Sequence, residues 1–292
     1  MLEHAILQAV AYADVFDYPL SFEEVHRYLV ACDAPPEATQ AVLGNGRLVP
    51  KRLSRCQGYV TLPGHEAIVE LRRAREQIAA RLWERAVTYG HVIAQLPFVR
   101  MVAVTGALAM NNVEADADLD YLIVTALGRL WVCRALVVLL VRLAARRGDV
   151  ICPNYFLSEQ ALNLQERNLF TAHEMTQMVP LAGMSVYERM RQMNRWTEGF
   201  LPNAIGAPRV MAARNGRRHT LQSVSEGILR TPAGEWLEQW EMNRKVHAFS
   251  QRTAAHPEAA FGRDWCKGHF DDHEHRVMAA FTERLRALEG MS

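Results

Sequence analysis

Residues 104–124 read VTGALAMNNVEADADLDYLIV, and this stretch decides how the fold is interpreted. A short apolar strand runs into Gly106 and Ala107, and Asp118 and Asp120 open a second apolar strand further along. Because residues two apart in a strand face the same side, the two carboxylates should project from one surface of the sheet. Such a pair is repulsive unless a cation lies between its members. The pattern therefore predicts a cation site.

The ligand types indicate which cation and which partner this site would take. Carboxylate oxygens favour a hard cation such as Mg²⁺, which can also carry the phosphate oxygens of a nucleotide. Gly106 allows the backbone to approach a phosphate closely, and the helix that it opens can direct N–H groups at that phosphate. We therefore expect Asp118 and Asp120 to be metal ligands for Mg²⁺ beside a bound nucleotide.

The order of strand, glycine, helix and Asp-x-Asp strand resembles the nucleotidyltransferase superfamily, whose fold is shared with DNA polymerase beta. Gly106, Asp118, Asp120 and the apolar run after them match the family pattern, over about residues 95–160. Ala107 departs from it, since the family usually has Ser or Gly there. The resemblance implies a Mg²⁺-dependent enzyme that transfers a nucleotidyl group from an NTP to an acceptor and releases pyrophosphate.

The resemblance also implies roles for individual residues. Asp118 and Asp120 would be the catalytic, metal-holding pair. The backbone at Gly106 and Ala107 would cradle the outer phosphates of the nucleotide, and Thr105 would border them.

The third strand of this unit, expected over 150–157, raises an alternative. In the resembled family a third acid often lies on this strand, whereas the inward residue here is Asn154, with Asp149 at the strand's start as the other choice. An amide oxygen is a weaker ligand than a carboxylate. The alternative hypothesis is a catalytically degenerate protein that binds a nucleotide, or only a protein partner, and regulates through its N-terminal module.

Composition limits the partners. The chain has 292 residues and a formal net charge of +1, so no overall field attracts nucleic acid or a membrane. A small-molecule or protein acceptor therefore fits better than long nucleic acid. The five cysteines include no Cys-x-x-Cys pair, and no signal peptide is apparent at the N-terminus, so a cytoplasmic protein is expected. The longest apolar run, 130–143, is too short to span a bilayer.

The pattern of elements predicts an α+β protein with a small mixed-sheet, nucleotidyltransferase-like core. Helices expected at 5–15, 22–30 and 36–43 precede a two-stranded ribbon expected at 48–53 and 59–62, which is the order of a winged helix. Ser21 and Glu24 form a predicted capping box before the second helix. The expected modules are a winged-helix-like module (1–63), a linker helix (64–95), the core (96–160) and a helical C-terminal region (161–292).

The N-terminal module offers little for DNA. Its ribbon is basic, with Arg47, Lys51, Arg52 and Arg55, but the third helix has no Arg or Lys. A helix in the major groove usually offers several such side chains. Packing against a protein, including a homodimer partner, is therefore favoured over DNA binding.

Three further groups of residues in the C-terminal region could bind a metal, bind a phosphate or act as an acid or base. His269, Asp272 and His273 could ligate a metal, although acids near the start of the last helix are simply explained as a helix cap. Lys267 could contact a phosphate or a partner.

In the helix expected over 168–179, Glu174 could reach the active cleft if this helix covers it, and its neighbour His173 is more simply a packed residue. The basic group from Arg214 to Arg218 could bind a triphosphate or form an ordinary surface loop.

Overall fold

The computed structural model describes residues 1–209, 220–253, 261–267 and 273–290 of the chain. Within these ranges the protein is α+β, with two small sheets among its helices. The helices are α1 (Leu2–Asp14), α2 (Phe22–Arg27), α3 (Pro36–Gly44), α4 (Ile68–Ala94), α5 (Gly106–Ala109), α6 (Leu130–Ala145), α7 (Leu169–Gln177), α8 (Met184–Met193), α9 (Thr197–Phe200), α10 (Thr220–Leu229), α11 (Pro232–Thr253) and α12 (His273–Glu289). The strands are β1 (Leu20–Ser21), β2 (Ser54–Cys56), β3 (Tyr59–Thr61), β4 (Val99–Val104), β5 (Leu119–Thr125), β6 (Ile151–Ser158), β7 (Val179–Ala182) and β8 (Trp265–Lys267).

The N-terminal module combines α1 to α3 with an antiparallel sheet of order β1-β3-β2. The capping box at the start of α2 is confirmed: the Glu24 N–H donates to Ser21 Oγ at 3.3 Å, and the Ser21 N–H donates to Glu24 Oε2 at 2.8 Å. The expected strand at 48–53 is wrong. The Leu48 carbonyl accepts hydrogen bonds from the N–H groups of Arg52 and Leu53, which closes a turn, and the strand begins only at residue 54. The winged-helix layout stays a prediction.

The larger sheet is mixed, with strand order β7-β4-β5-β6-β8. Strands β5 and β6 are parallel, whereas every other neighbouring pair is antiparallel. One face packs against α4 and α6 around Trp83, Tyr121 and Trp131. The opposite face, which includes Leu122, packs against methionines of α7 and α8. Asp120 lies two residues before Leu122 and so belongs to this second face.

Both outer strands of this sheet come from the region expected to be helical. A helix over 168–179 was expected to end at Pro180, but α7 ends at Gln177 and β7 follows. Pro180 lies opposite Ala103 of β4 on an edge strand, where its missing N–H is tolerated. At the other edge, β8 pairs with β6. Strands this short carry no hydrophobic period that the sequence could reveal.

Helix α10 is fastened to the start of β4 by a buried ion pair. The Glu226 carboxylate accepts hydrogen bonds from the Phe98 N–H and from Arg100 Nη1, both at 2.9 Å. The Glu226 side chain is only 4% exposed and that of Arg100 only 12% exposed. Helix α11 follows after a short break and begins at Pro232, where the missing N–H of proline is tolerated.

Among the residues that the structure describes, no helix is long and apolar enough to cross a membrane.

Candidate functional site

Three potential ligands converge where β5 and β6 begin. Asp118 directly precedes β5, Asp120 lies within it, and Cys152 is the partner of Asp120 in the parallel register with β6. One ligand atom from each of these side chains lies within 4.8 Å of the others. The two carboxylates thus face one another as their spacing predicts, and the group could hold a metal ion.

The electrostatics of Asp120 show the repulsion that a cation would relieve. Burial raises the pKa of the Asp120 carboxyl to about 7, and the negative charge of Asp118 adds to the shift. A hydrogen bond from Asn154 Nδ2 to Asp120 Oδ1, at 2.5 Å, acts in the opposite direction. The free carboxylate pair is therefore an unfavourable arrangement that a bound cation would stabilise.

At residue 106 the backbone lies so close to the Asp120 carboxylate that only glycine fits without a shift. The φ angle of Gly106 is +64°, and a Cβ atom there would lie 2.5 Å from Asp120 Oδ2 and 3.3 Å from its Cγ. The neighbouring Thr105 N–H donates to the Asp120 carbonyl at 3.1 Å, which fixes the end of β4 against β5. Helix α5, which Gly106 opens, has only four residues, so it contributes few aligned peptide dipoles.

Asn154 and Asp149, the two candidates for the position of the third acid, lie in different places relative to Asp120. Asn154 lies beside Asp120, and the side-chain oxygen Oδ1 of Asn154 accepts a hydrogen bond from Cys152 Sγ at 2.7 Å. Asp149 is bound instead to Arg85 at 3.0 Å and to the Tyr89 hydroxyl at 2.6 Å, beside α4. No third carboxylate therefore joins the cluster among the described residues.

Cys152 was not singled out from the sequence, although a signal was present. Residues 152 and 154 share one side of an extended strand, so an inward Asn154 implies an inward Cys152. What the sequence could not supply is the register that sets Cys152 against Asp120.

The cluster opens on a cavity of about 370 Å³, which we call the site cavity. Thr105, Gly106, Ala107, Asp120 and Asn154 all line it, so the structure brings these predicted residues together. The opposite walls come from the C-terminal region and include Phe170, Glu174, Met175, Met178, Met190, Trp265, Lys267, His273 and Glu274.

Lys267 is the basic residue in this lining. Its ammonium group lies 2.7 Å from Glu166 Oε2, and its side chain is 16% exposed. A cation enclosed in this way, on the wall of a cavity that also contains Asp120, can bind a phosphate only by exchanging or sharing its contact with Glu166.

A second cavity of about 230 Å³ adjoins the site cavity. Gly106, Ala107, Glu174 and His273 line both, so these residues form the partition. We call the second space the aromatic cavity, because Tyr12, Phe16, Tyr18 and Tyr28 line it together with His173 and His273.

Helix α7 supplies Glu174 and His173, two ionisable residues that behave differently. Burial raises the pKa of the Glu174 carboxyl, and the positive charge of Lys267 partly opposes this. His173 is stacked on Tyr12 with ring centroids 3.8 Å apart and planes at 7°, and burial lowers its pKa to about 3. His173 is therefore neutral at ordinary pH, whereas Glu174 is the ionisable acid shared by the two cavities.

Several predicted residues either lie outside the described part of the chain or have partners away from the site. His269, Asp272 and the basic group Arg214–Arg218 lie outside the described residues. Arg52 of the basic segment is committed to α12, because its Nη2 donates to the Leu288 carbonyl at 2.6 Å.

Comparison of the chain with protein-family models, with curated proteins and with solved structures finds no match.

Asp120→Asn is expected to stabilise the metal-free protein more at pH 8 than at pH 5. Because the folded-state pKa is raised from 3.8 to about 7, the folded state holds this proton between those values while the unfolded state has lost it. The wild type therefore loses stability as the pH rises through this window, and Asn does not titrate. The added gain at pH 8 should be roughly 3 kcal/mol, since about two pH units separate pH 5 from the folded-state pKa and each contributes about 1.4 kcal/mol.

Urea unfolding with a chelator present measures this difference. Asp116→Asn, which removes an exposed acid of the same loop, is the matched control. An equal effect of Asp120→Asn at both pH values would contradict the assignment.

Proposed function

We propose that this chain is a metal-dependent nucleotidyltransferase that moves a nucleotidyl group from an NTP to an acceptor. The observation that carries the proposal is the convergence of Asp118, Asp120 and a positive-φ Gly106 beside a large cavity. Carboxylate pairs at such an edge suit a divalent cation, and the cavity leaves room for the ligand that the cation would carry.

The residues divide into roles under this proposal. Asp118 and Asp120 would hold Mg²⁺, which supplies charge neutralisation and alignment for in-line displacement when it is bound. Cys152 fits Mg²⁺ poorly, because hard cations prefer oxygen ligands. Gly106 and Ala107 would offer backbone close to the phosphates, with Thr105 at their border.

The proposed reaction is a substitution at the α-phosphorus. An oxygen of the acceptor forms a bond to that phosphorus while the bond to the oxygen bridging the α- and β-phosphates breaks. The bonding electrons leave with pyrophosphate, and the acceptor hydroxyl releases its proton to the medium. Lys267 would offer positive charge to the leaving phosphates from the far wall of the site cavity.

A second candidate function is nucleotide binding without transfer, coupled to regulation through the N-terminal module. One observation favours it: Cys152 and Asn154 stand beside Asp120, where a third carboxylate would support catalysis. The two candidates share the nucleotide site and differ only in whether pyrophosphate is released.

Isothermal titration of each NTP, with and without Mg²⁺, tests the shared site. The wild type is expected to bind at least one NTP in a Mg²⁺-dependent manner, and Asp118→Asn/Asp120→Asn should weaken that binding at least ~10-fold. The control is Glu114→Gln/Asp116→Asn, which removes two exposed acids of the same loop. If no NTP binds to the wild type, both nucleotide functions fail. If an NTP does bind, a measurement of pyrophosphate release in the presence of an acceptor separates the transferase from the regulator.

A further inference from the structure

The aromatic cavity is enclosed by elements from three parts of the chain. Its lining comes from α1, from β1 and α2, from α5 and the turn after it, and from α7 and the start of α12. Its volume of about 230 Å³ corresponds to roughly eight water molecules at ~30 Å³ each. The space is therefore sized for a small organic molecule.

The rings around this cavity form a connected group. Tyr12 stacks on His173, Tyr28 meets His173 with centroids 5.4 Å apart, and Phe16 meets Tyr12 at 5.6 Å. Aromatic rings carry partial negative charge on their faces, and a ring face that is open to the cavity attracts a cation once that cation has lost its water.

The charged lining of the cavity is acidic. Among the described residues that line it, Glu174 is the carboxylate, and neither Lys nor Arg is present. The Glu174 carboxylate makes no hydrogen bond or ion pair with any described residue. Burial is the main cause of the raised pKa of Tyr12, and the negative charges of Glu174 and Glu274 add to it.

The arginines that lie behind the wall are already neutralised. Arg72 lies over Tyr18, with its guanidinium carbon 4.3 Å from the ring centroid, but it is bound to the carboxylates of Glu24 and Glu76. Arg75 donates to Asn112 Oδ1 at 3.0 Å and pairs with Glu114. No arginine behind the wall therefore neutralises the Glu174 carboxylate, and the positive charge that acts on it is that of Lys267.

Arg27 also lies near the wall, at 5.8 Å from the centroid of Tyr28, and the charge of Arg191 acts on the same tyrosine. The Arg27 guanidinium donates to the carbonyls of Thr176, Ile205 and Gly206. These bonds hold it away from the cavity lining, which it does not join.

We infer that the aromatic cavity binds a small organic ammonium ion, and that this ion is the acceptor of the proposed transfer. The second part rests on the proposed function, whereas the binding itself does not. Aromatic faces and one enclosed carboxylate together recognise an ammonium group that carries apolar substituents. An anionic ligand is disfavoured, because it would meet Glu174 with neither Lys nor Arg in the described lining to offset it.

The partition between the two cavities places the proposed ammonium site directly beside the proposed nucleotide site. The nucleotide phosphates require positive charge, which Lys267 and the metal would supply in the site cavity. The ammonium ion requires negative charge, which Glu174 supplies at the partition. A hydroxyl carried by the ion would then approach the α-phosphorus past Gly106 and Ala107.

Choline and its uncharged isostere 3,3-dimethylbutan-1-ol test the binding directly. Isothermal titration into the wild type without nucleotide is expected to give a dissociation constant for choline at least ~10-fold below that of the isostere. Equal affinities, or no heat from choline, would overturn the inference. This comparison needs no variant, so it is independent of any effect on folding.

Variants then locate the ion. Glu174→Gln should reduce choline affinity at least ~10-fold while leaving the isostere unchanged. Glu198→Gln, which removes an exposed carboxylate of α9, is the matched control and should change neither affinity. If choline affinity survives in Glu174→Gln, the ion is not bound at the partition and the assignment fails.

The same titrations separate this inference from the proposed function. If choline binds and no NTP does, the aromatic cavity is a cation site and the proposed transferase function is wrong. NTP binding without choline binding would leave the nucleotide site in place and remove the ammonium acceptor.

Discussion

Gly106→Ala is expected to reduce Mg²⁺-dependent NTP affinity by roughly 10–100-fold, the range seen when groups that orient metal ligands are lost. The new Cβ would lie 2.5 Å from Asp120 Oδ2, so the carboxylate would have to turn away. Asp120 cannot turn freely, because its other oxygen accepts the hydrogen bond from Asn154. The substitution therefore displaces a proposed metal ligand without removing any carboxylate.

Gly128→Ala provides the control for backbone strain. Gly128 also has a positive φ, of +66°, but a Cβ there would meet nothing within 4 Å. Both variants should lose about 1 kcal/mol of stability from the left-handed backbone. Isothermal titration should show weakened NTP binding for Gly106→Ala alone. Equal binding by the two variants would mean that the approach of Gly106 to Asp120 does not support the site.

Glu226→Ala is expected to lower the free energy of unfolding by about 3–5 kcal/mol, as measured by urea denaturation. The reason is the charge that it leaves behind. Arg100 is 12% exposed and would lose its carboxylate partner, and the Phe98 N–H would lose its acceptor. The same change would remove the ion pair between α10 and the strand that leads to Thr105 and Gly106.

Two further variants make this expectation specific. Glu70→Ala removes a carboxylate that is 66% exposed and paired with Arg73, which is itself 44% exposed, so it should cost no more than about 1 kcal/mol. Arg100→Leu/Glu226→Leu removes both charges together and should recover much of the loss seen in Glu226→Ala. Equal losses in the Glu226 and Glu70 variants would contradict the buried ion pair.

Local patterns in the sequence predicted the centre of the fold. The glycine after β4 and the paired acids of β5 are signals that lie within a few residues of each other, as is the capping box at Ser21 and Glu24. Each depends on backbone geometry that neighbouring residues determine, so each could be read without knowledge of distant contacts.

The parts that could not be predicted depend on long-range pairing. Pro180 is typical of a helix end, yet here it belongs to an edge strand because β4 lies beside it. Cys152 joins the acids only through the register between β5 and β6. Glu174 becomes an acid shared by two cavities because α7 packs over the sheet, which no local pattern around Glu174 reveals.

The way the larger sheet is assembled has a consequence for the order of folding. Strands β4, β5 and β6 are close in sequence, so the central part of the sheet, which carries Asp120 and leads into Gly106, can form while the chain is still being synthesised. Strand β8 pairs with β6 across more than a hundred residues, and it brings Trp265 and Lys267. Closing so long a loop is a late event. The acids are therefore expected to be in place before the walls that would select a ligand, and a nascent chain acquires its binding specificity last.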